Sequence, residues 1–283
     1  MDYFDDNKLE SVAVVANKLI DKLSEAVGFV FAPRGRYMHR MEGEKLFLKE
    51  IAENKELDVF TKAAIMSNTR KIIKQYKNQN DIVQIAVSNL QKSASPENVD
   101  ESWIMEFMDK CKNIQDDTIK IIWGKILAEE CNNNGSVSKK VIHVLAYIDN
   151  EEAKIFEKIC ENIVIKKSTN QRFPYIDYNI FNENYWSKYG FTISQFRRLM
   201  EAGLIIYNEK LYTEIKGGKE ILIVNGEEIE VHSAWDELLY AGSVLFTTAG
   251  EIIASIIEIK EKDKEFVEAL KCALGYRNTM DMI

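Results

Sequence analysis

The densest titratable features of the chain are adjacent acid pairs such as Asp116-Asp117, Glu129-Glu130, Glu151-Glu152 and Glu227-Glu228. General acid–base or metal chemistry would need such carboxylates to converge on one point, whereas neighbours on a helix project about 100° apart. The first and third pairs stand where helices are expected to begin, and the helix dipole accounts for negative charge there. Glu130 shares its segment with Trp123 and Lys125. A buried glutamate could act as an acid or pair with a base; the simpler reading is the polar edge of a tryptophan core. Cys111, Cys131, Cys160 and Cys272 form no C-x-x-C pair, and His39, His143 and His232 stand far apart, so no zinc site is local in sequence. Buried, reduced thiols of a cytoplasmic protein are the expectation. No serine elbow, P-loop, zinc-protease helix or dinucleotide turn occurs, and Gly217-Gly218-Lys219 reads as a tight turn. No catalytic, cofactor-binding or metal residue is assigned; an enzyme here would need a site assembled from distant positions.

Two clusters could bind rather than react. Gln195, Arg197 and Arg198 fall on a short helix that would be the recognition helix of a DNA reader, its arginines on phosphates or base edges. Against phosphate contact stand Glu201 beside them, Glu227, Glu228 and Glu230 on a neighbouring hairpin, Asp236-Glu237, and a net charge of −8 with a pI near 5.2. A protein contact or structural role is favoured for the helix, with nucleic acid as the alternative. Phe29 and Phe31, followed by Arg34, Arg36 and Arg40, make an apolar tip with a basic flank. Such a tip could lie on an anionic membrane or meet a partner, and could equally close a core helix with a solvated turn.

The elements that must carry these residues are mostly helices. The 283 residues are 46% hydrophobic and 29% charged, as in globular proteins, and 3 prolines with 13 glycines favour long uninterrupted helices. The acidic start MDYFDDNKLE is unlike a secretory signal. Val12, Val15, Leu19, Leu23 and Val27 recur at helical steps and form an apolar stripe for a partner. A second helical stretch runs to Lys92, with Asp81 placed to cap its last apolar set, and residues 93–102 read as a linker. Trp103, Phe107, Met108 and Cys111 share one helical face. Asp116 or Asp117 caps the Trp123 helix, which Gly135 closes; Ser138 and Asn150 cap two more, the last bearing Phe156. The short loops imply a compact bundle cored by Trp103, Phe107, Trp123 and Phe156. Beyond it, Thr192 or Ser194 starts the Gln195 helix, and Asn225-Gly226 between alternating apolar residues is a hairpin turn. Residues 238–259 match a membrane span in length, but Glu251 and Glu258 interrupt them. They read as two soluble segments, the second a helix capped by Thr247 or Thr248.

The central block carries a resemblance. Trp103 and Phe107, the acidic start Asp116-Asp117, Trp123 with Ile126, Leu127, Ala128 and Glu130, the turn residues Gly135, Ser136 and Ser138, and Glu152, Ala153 and Phe156 resemble the bacterial family of domain of unknown function 2806. Gly28, Pro33 and Arg34 look similar to it as well. Asn134 departs where a proline is usual, and Lys139 or Lys140 where an arginine is usual. The resemblance spans roughly half to two-thirds of the chain and implies relatives rather than an activity. Because related proteins often sit near mobile or defence-associated genes, it also implies an anti-phage, abortive-infection-like setting. Separately, the order of helix, EAGLI turn, strands and T-x-x-G helix near 187–260 resembles a winged helix.

The expected fold is mainly α, a helical bundle with a small C-terminal α+β, winged-helix-like module. Its parts are an N-terminal helical region (1–92), the linker (93–102), a central helical block (103–165), an irregular connection (166–186) and the module with a final helix (187–283). The expected function is that of a cytoplasmic interaction or self-associating protein without cofactors, resting on the apolar stripe of the first helix. Its partner would be a second copy or another protein. A winged-helix DNA-associated regulator and an enzyme with a dispersed site are the alternatives.

Overall fold

The computed structural model describes residues 6–28, 31, 45–176, 192–232, 238–257, 268 and 271–272. Its chain divides into two compact units, Met1–Ala146 and Tyr147–Ile283. The first is helical: α1 (Asp6–Val27), α2 (45–53), α3 (Val59–Ser88), a single 3-10 turn (Pro96–Asn98), α4 (Glu101–Cys111), α5 (Asp117–Asn132) and α6 (Lys139–Tyr147). Aspartates start three of these helices. Asp58 accepts from the Phe60 and Thr61 N–H groups, Asp100 from Trp103, and Asp116 from Thr118 and Ile119, which satisfies donors that a helix start leaves open.

Aromatic rings fill the core of this unit. Trp103 stacks on Phe107 at 5.0 Å between ring centroids, and Phe107 meets Trp123 edge-on at 4.9 Å. The second half of α3 packs on α5. They can approach because Gly124 has no side chain, since a Cβ there would fall 2.4 Å from Ile85 Cγ2. Across the same contact Lys120, a buried residue, places its ammonium 2.8 Å from Asp81. Asp81 is therefore no cap: α3 runs unbroken through it, because its charge finds a cation on the facing helix.

Two further expectations change here. The α1 stripe is internal, not a free face: Val15, Leu19 and Leu23 are buried, and α1 packs on α4, α3 and the Pro96–Asn98 turn. Residues 93–102 are not a free linker between domains, because Ala94, Pro96 and Val99 are buried within the first unit.

The second unit contains α7 (Asn150–Cys160), β1 (Ile163–Lys166), β2 (Arg172–Pro174), α8 (Ile193–Glu201), β3 (Ile205–Glu214), β4 (Lys219–Val224), β5 (Glu227–His232), β6 (Leu238–Phe246) and α9 (Thr248–Ile256). All its ladders are antiparallel, in a four-stranded sheet of order β2-β1-β4-β5 and a two-stranded sheet β3-β6. Strands β1 and β2 occupy positions read from sequence as a helix end and an irregular connection. Ile163-Val164-Ile165 is a β-branched run suited to a pleated surface, and Asn170 turns the chain at φ 56°. The rest of that connection, from 177 onwards, lies outside the described residues.

The Asn225-Gly226 hairpin forms between β4 and β5, with φ of 51° and 82°, as a primed turn requires. It pairs with β1, not with β3, so the hairpin belongs to a different sheet from its flanking strands. Gly242 joins the sheets: at φ 90° it lets the Ile176 carbonyl approach, and Ser243 N donates to that oxygen at 2.6 Å. The described part of the long apolar stretch, 238–257, splits at Thr247 into β6 and α9. No described helix is long and apolar enough to cross a membrane. The described residues are mainly α with two small antiparallel sheets.

Candidate functional site

The Glu130 carboxylate ends its helix on the backbone. It accepts the Gly135 N–H at 2.7 Å and the Val137 N–H at 2.8 Å, while the Trp103 indole N–H donates to the Val137 carbonyl at 2.7 Å. Gly135, at φ 81°, supplies the left-handed turn that brings these groups round. Asn134, at the position where the sequence departs from the proline pattern, donates to the carbonyls of Ser95 and Glu130, each at 3.1 Å. Burial raises the pKa of Glu130 and outweighs the two N–H donors, which lower it. The carboxylate is thus committed to a turn, which is architecture rather than acid–base chemistry.

The sequence-selected binding residues are placed as follows. Gln195 closes a capping box with Thr192 at the start of α8. Arg198 reaches Asp149 at 2.9 Å and Glu151 at 2.5 Å, with Glu152 at 3.8 Å from its Nε. Arg197 is exposed. The helix therefore offers one outward arginine, not two. Phe31 is in the core of the first unit, stacked on Tyr76 at 5.9 Å, and is withdrawn from any membrane or partner. Phe29, Arg34, Arg36 and Arg40 lie outside the described residues. Phe156 is buried as expected, but against Phe246 of the second unit, 5.5 Å between ring centroids.

Two features were not anticipated. The first is a polar cleft of about 1060 Å³ in the second unit, lined by Lys166, Ser168, Gln171, Thr213, Glu214 and Glu251 among others. Lys166 is 3% exposed; its ammonium donates to Gln171 Oε1 and Thr213 Oγ1, each at 3.4 Å, and to the Glu214 carbonyl. Among the described residues no carboxylate comes within 4.0 Å of it, and desolvation lowers its pKa. The second is the outer half of α3. From Val59 to Gln75 no residue is buried, and Val59 and Phe60 are 85% and 83% exposed. Leu46 and Phe47 on α2 are exposed too, and Lys62 ties the two helices by donating to the Ala52 carbonyl at 3.2 Å.

A family model described as "protein of unknown function (DUF2806)" matches residues 62–271. The chain belongs to this family. No curated protein and no solved structure matches it.

The DUF2806 match begins in α3 and extends through both units. The residues that carried the resemblance prove to be fold-building. Trp103, Phe107, Trp123, Ile126, Leu127 and Ala128 are buried core, Asp116 caps α5, and Glu152 closes a capping box with Asp149 at the start of α7. Asp149, not Asn150, is that cap. Among the described residues no group of three or more His, Cys, Asp or Glu side chains is placed to hold a metal ion. Cys111, Cys131 and Cys160 are buried and free, with burial pushing the Cys131 thiol up to about 12, whereas Cys272 is exposed.

A signal for the α3 arm was present in the sequence: cations without acids over nearly three heptads. The Lys166 cleft left no such signal, because its walls come from 166–171, 212–216, Leu245 and Glu251.

Proposed function

We propose that this DUF2806 protein acts by association, with the outer half of α3 as its contact arm. The observation that carries the reading is the unburied stretch Val59–Gln75, which keeps Val59, Phe60 and Ile72 exposed. Most helices in proteins owe their stability to an apolar face packed on something, and this half of α3 has little of that within its own unit. A partner surface supplies it. The setting we assign, bacterial anti-phage defence, rests on the family resemblance alone.

Fractionation of cells expressing the full chain tests this, with light-scattering mass on the soluble part. The wild type should run with a large assembly or the particulate fraction, and V59S/F60S should run as a 32.7 kDa monomer. A wild type found only as free monomer would sink the proposal; a defined oligomer broken by the variant would make the partner a second copy.

The order of α8, β3, hairpin, β6 and α9 supports reading the second unit as a winged-helix-like docking module. The engagement of Arg198 by three acids, and the exposed Glu227, Glu228 and Glu230 on β5, weigh against DNA as what it docks on.

A further inference from the structure

We infer that the partner of the α3 arm is an anionic lipid bilayer, contacted peripherally; this rests on the reading of α3 as the contact element and names the chemistry it meets. Residues 59–77 read VFTKAAIMSNTRKIIKQYK, with Lys62, Arg70, Lys71, Lys74 and Lys77 and no acid, in a chain of net charge −8. At 100° per residue, Phe60, Ala63, Ser67, Arg70, Lys74 and Lys77 follow one another in steps of three and four along a single stripe. Each of the six is exposed. Arg70, Lys71, Lys74 and Lys77 make no ion pair or side-chain hydrogen bond among the described residues.

The acids close to the arm in sequence do not cancel this charge. Over 45–62, Glu50, Glu53, Glu56 and Asp58 are matched by Lys45, Lys49, Lys55 and Lys62. Asp58 is moreover turned back onto the N–H groups of Phe60 and Thr61, and Glu53 lies 3.8 Å from Lys49. The surplus is therefore Arg70, Lys74 and Lys77 on the stripe and Lys71 beside it, all exposed.

Four cations alone would suit a phosphate backbone of any kind. The apolar residues decide between partners. Val59 and Phe60 stand at the outer end of the same helix, with exposed Leu46 and Phe47 on the helix tied to it through Lys62. A nucleic-acid backbone has no use for an aliphatic and aromatic tip, whereas a bilayer takes such groups into its acyl boundary while headgroups meet the cations. The contact is a surface one, made by the exposed face of α3; no described helix is long and apolar enough to span.

Co-sedimentation of the full chain with vesicles tests this. Binding should be strong to phosphatidylcholine mixed with phosphatidylserine, weak to phosphatidylcholine alone, and lost at high salt. R70Q/K71Q/K74Q/K77Q should weaken it by about 600-fold, at roughly fivefold for each of the four surface cations. F60S should weaken it about tenfold by removing the apolar insertion. Both variants change exposed residues, so their circular dichroism and thermal midpoints should equal those of wild type. Equal binding to the two kinds of vesicle, binding to neither, or a quadruple variant that binds as well as wild type would overturn the inference. Duplex DNA in a parallel arm, bound by wild type and released by the quadruple variant while vesicles are ignored, would reassign the face to nucleic acid. If vesicles fail but the assembly seen by fractionation persists, the lipid falls and α3 remains the contact arm.

Discussion

The guanidinium of Arg198 on α8 lies 2.9 Å from the carboxylate of Asp149, the residue that caps α7. Asp149 divides its two oxygens, Oδ1 taking the Glu152 N–H at 2.7 Å and Oδ2 taking Arg198. The hydrogen bond that the guanidinium donates to Glu151, the largest influence, raises its pKa further, and the cation holds three neighbouring acids together.

Arg198→Ala should accordingly lower the thermal midpoint, more so at low ionic strength, by leaving Asp149, Glu151 and Glu152 to repel one another. Arg197→Ala, on the exposed side of α8, should leave the midpoint unchanged. Scanning calorimetry of the two variants checks this, and equal midpoints would remove the cluster from the account of stability.

Glu130→Gln keeps the shape of the buried side chain but can offer one acceptor where two N–H groups arrive. Leaving either Gly135 or Val137 unsatisfied should cost about 1–3 kcal/mol in urea unfolding. Trp103→Phe, which strands the Val137 carbonyl at the same turn, should also destabilise, and the two changes should be non-additive because they act on one residue.

Gly250→Ala should cost more than Gly124→Ala. A Cβ at 250 would fall 1.9 Å from the Leu204 carbonyl oxygen, a backbone atom also used by the Thr247 N–H. At 124 the nearest obstacles are Ile85 Cγ2 at 2.4 Å, which can rotate away, and Ile85 Cβ at 2.5 Å, which yields only to a shift of α3 on α5; the nearest backbone atom, the Ile82 carbonyl oxygen, is 3.0 Å away. Overpacking of this kind costs about 1–3 kcal/mol, and chemical denaturation of both variants would rank them.

Lys166 gives the protein a pH dependence of known sign. Its folded pKa is lowered, so the unfolded chain holds this proton more tightly than the folded one. The associated stability is present above the unfolded value near 10.5 and is lost as pH falls through the lowered one. Lys166→Met removes that dependence. The stability of wild type minus that of the variant should rise from neutral pH toward 10.5; a flat difference would show that the ammonium carries no burial penalty.

Thiol labelling separates the cysteines. Cys272 should react with an aromatic disulfide reagent in the native state, while Cys111, Cys131 and Cys160 should wait for unfolding, since burial both hides them and suppresses the thiolate. Fast native reaction of more than one thiol would contradict the burial described.

What the sequence determined by itself was local. Periodicity fixed the aromatic helices around Trp103 and Trp123, aspartates and threonines fixed helix starts, and Asn225-Gly226 fixed a hairpin, because each depends on residues a few positions apart. The family resemblance was legible for the same reason, being carried by Trp103, Phe107, Trp123 and Glu130 in one continuous block. Whether a polar group is spent inside the fold was not legible. Asp81 looked like a cap until Lys120 of a facing helix met it, and Arg198 looked free until α7 brought three acids beside it. The α1 stripe looked like a surface for a partner until α4 and the Pro96–Asn98 turn covered it. Only the tertiary structure decided these, since a charge or an apolar face is satisfied by whatever packs against it, and that neighbour is usually distant in the chain.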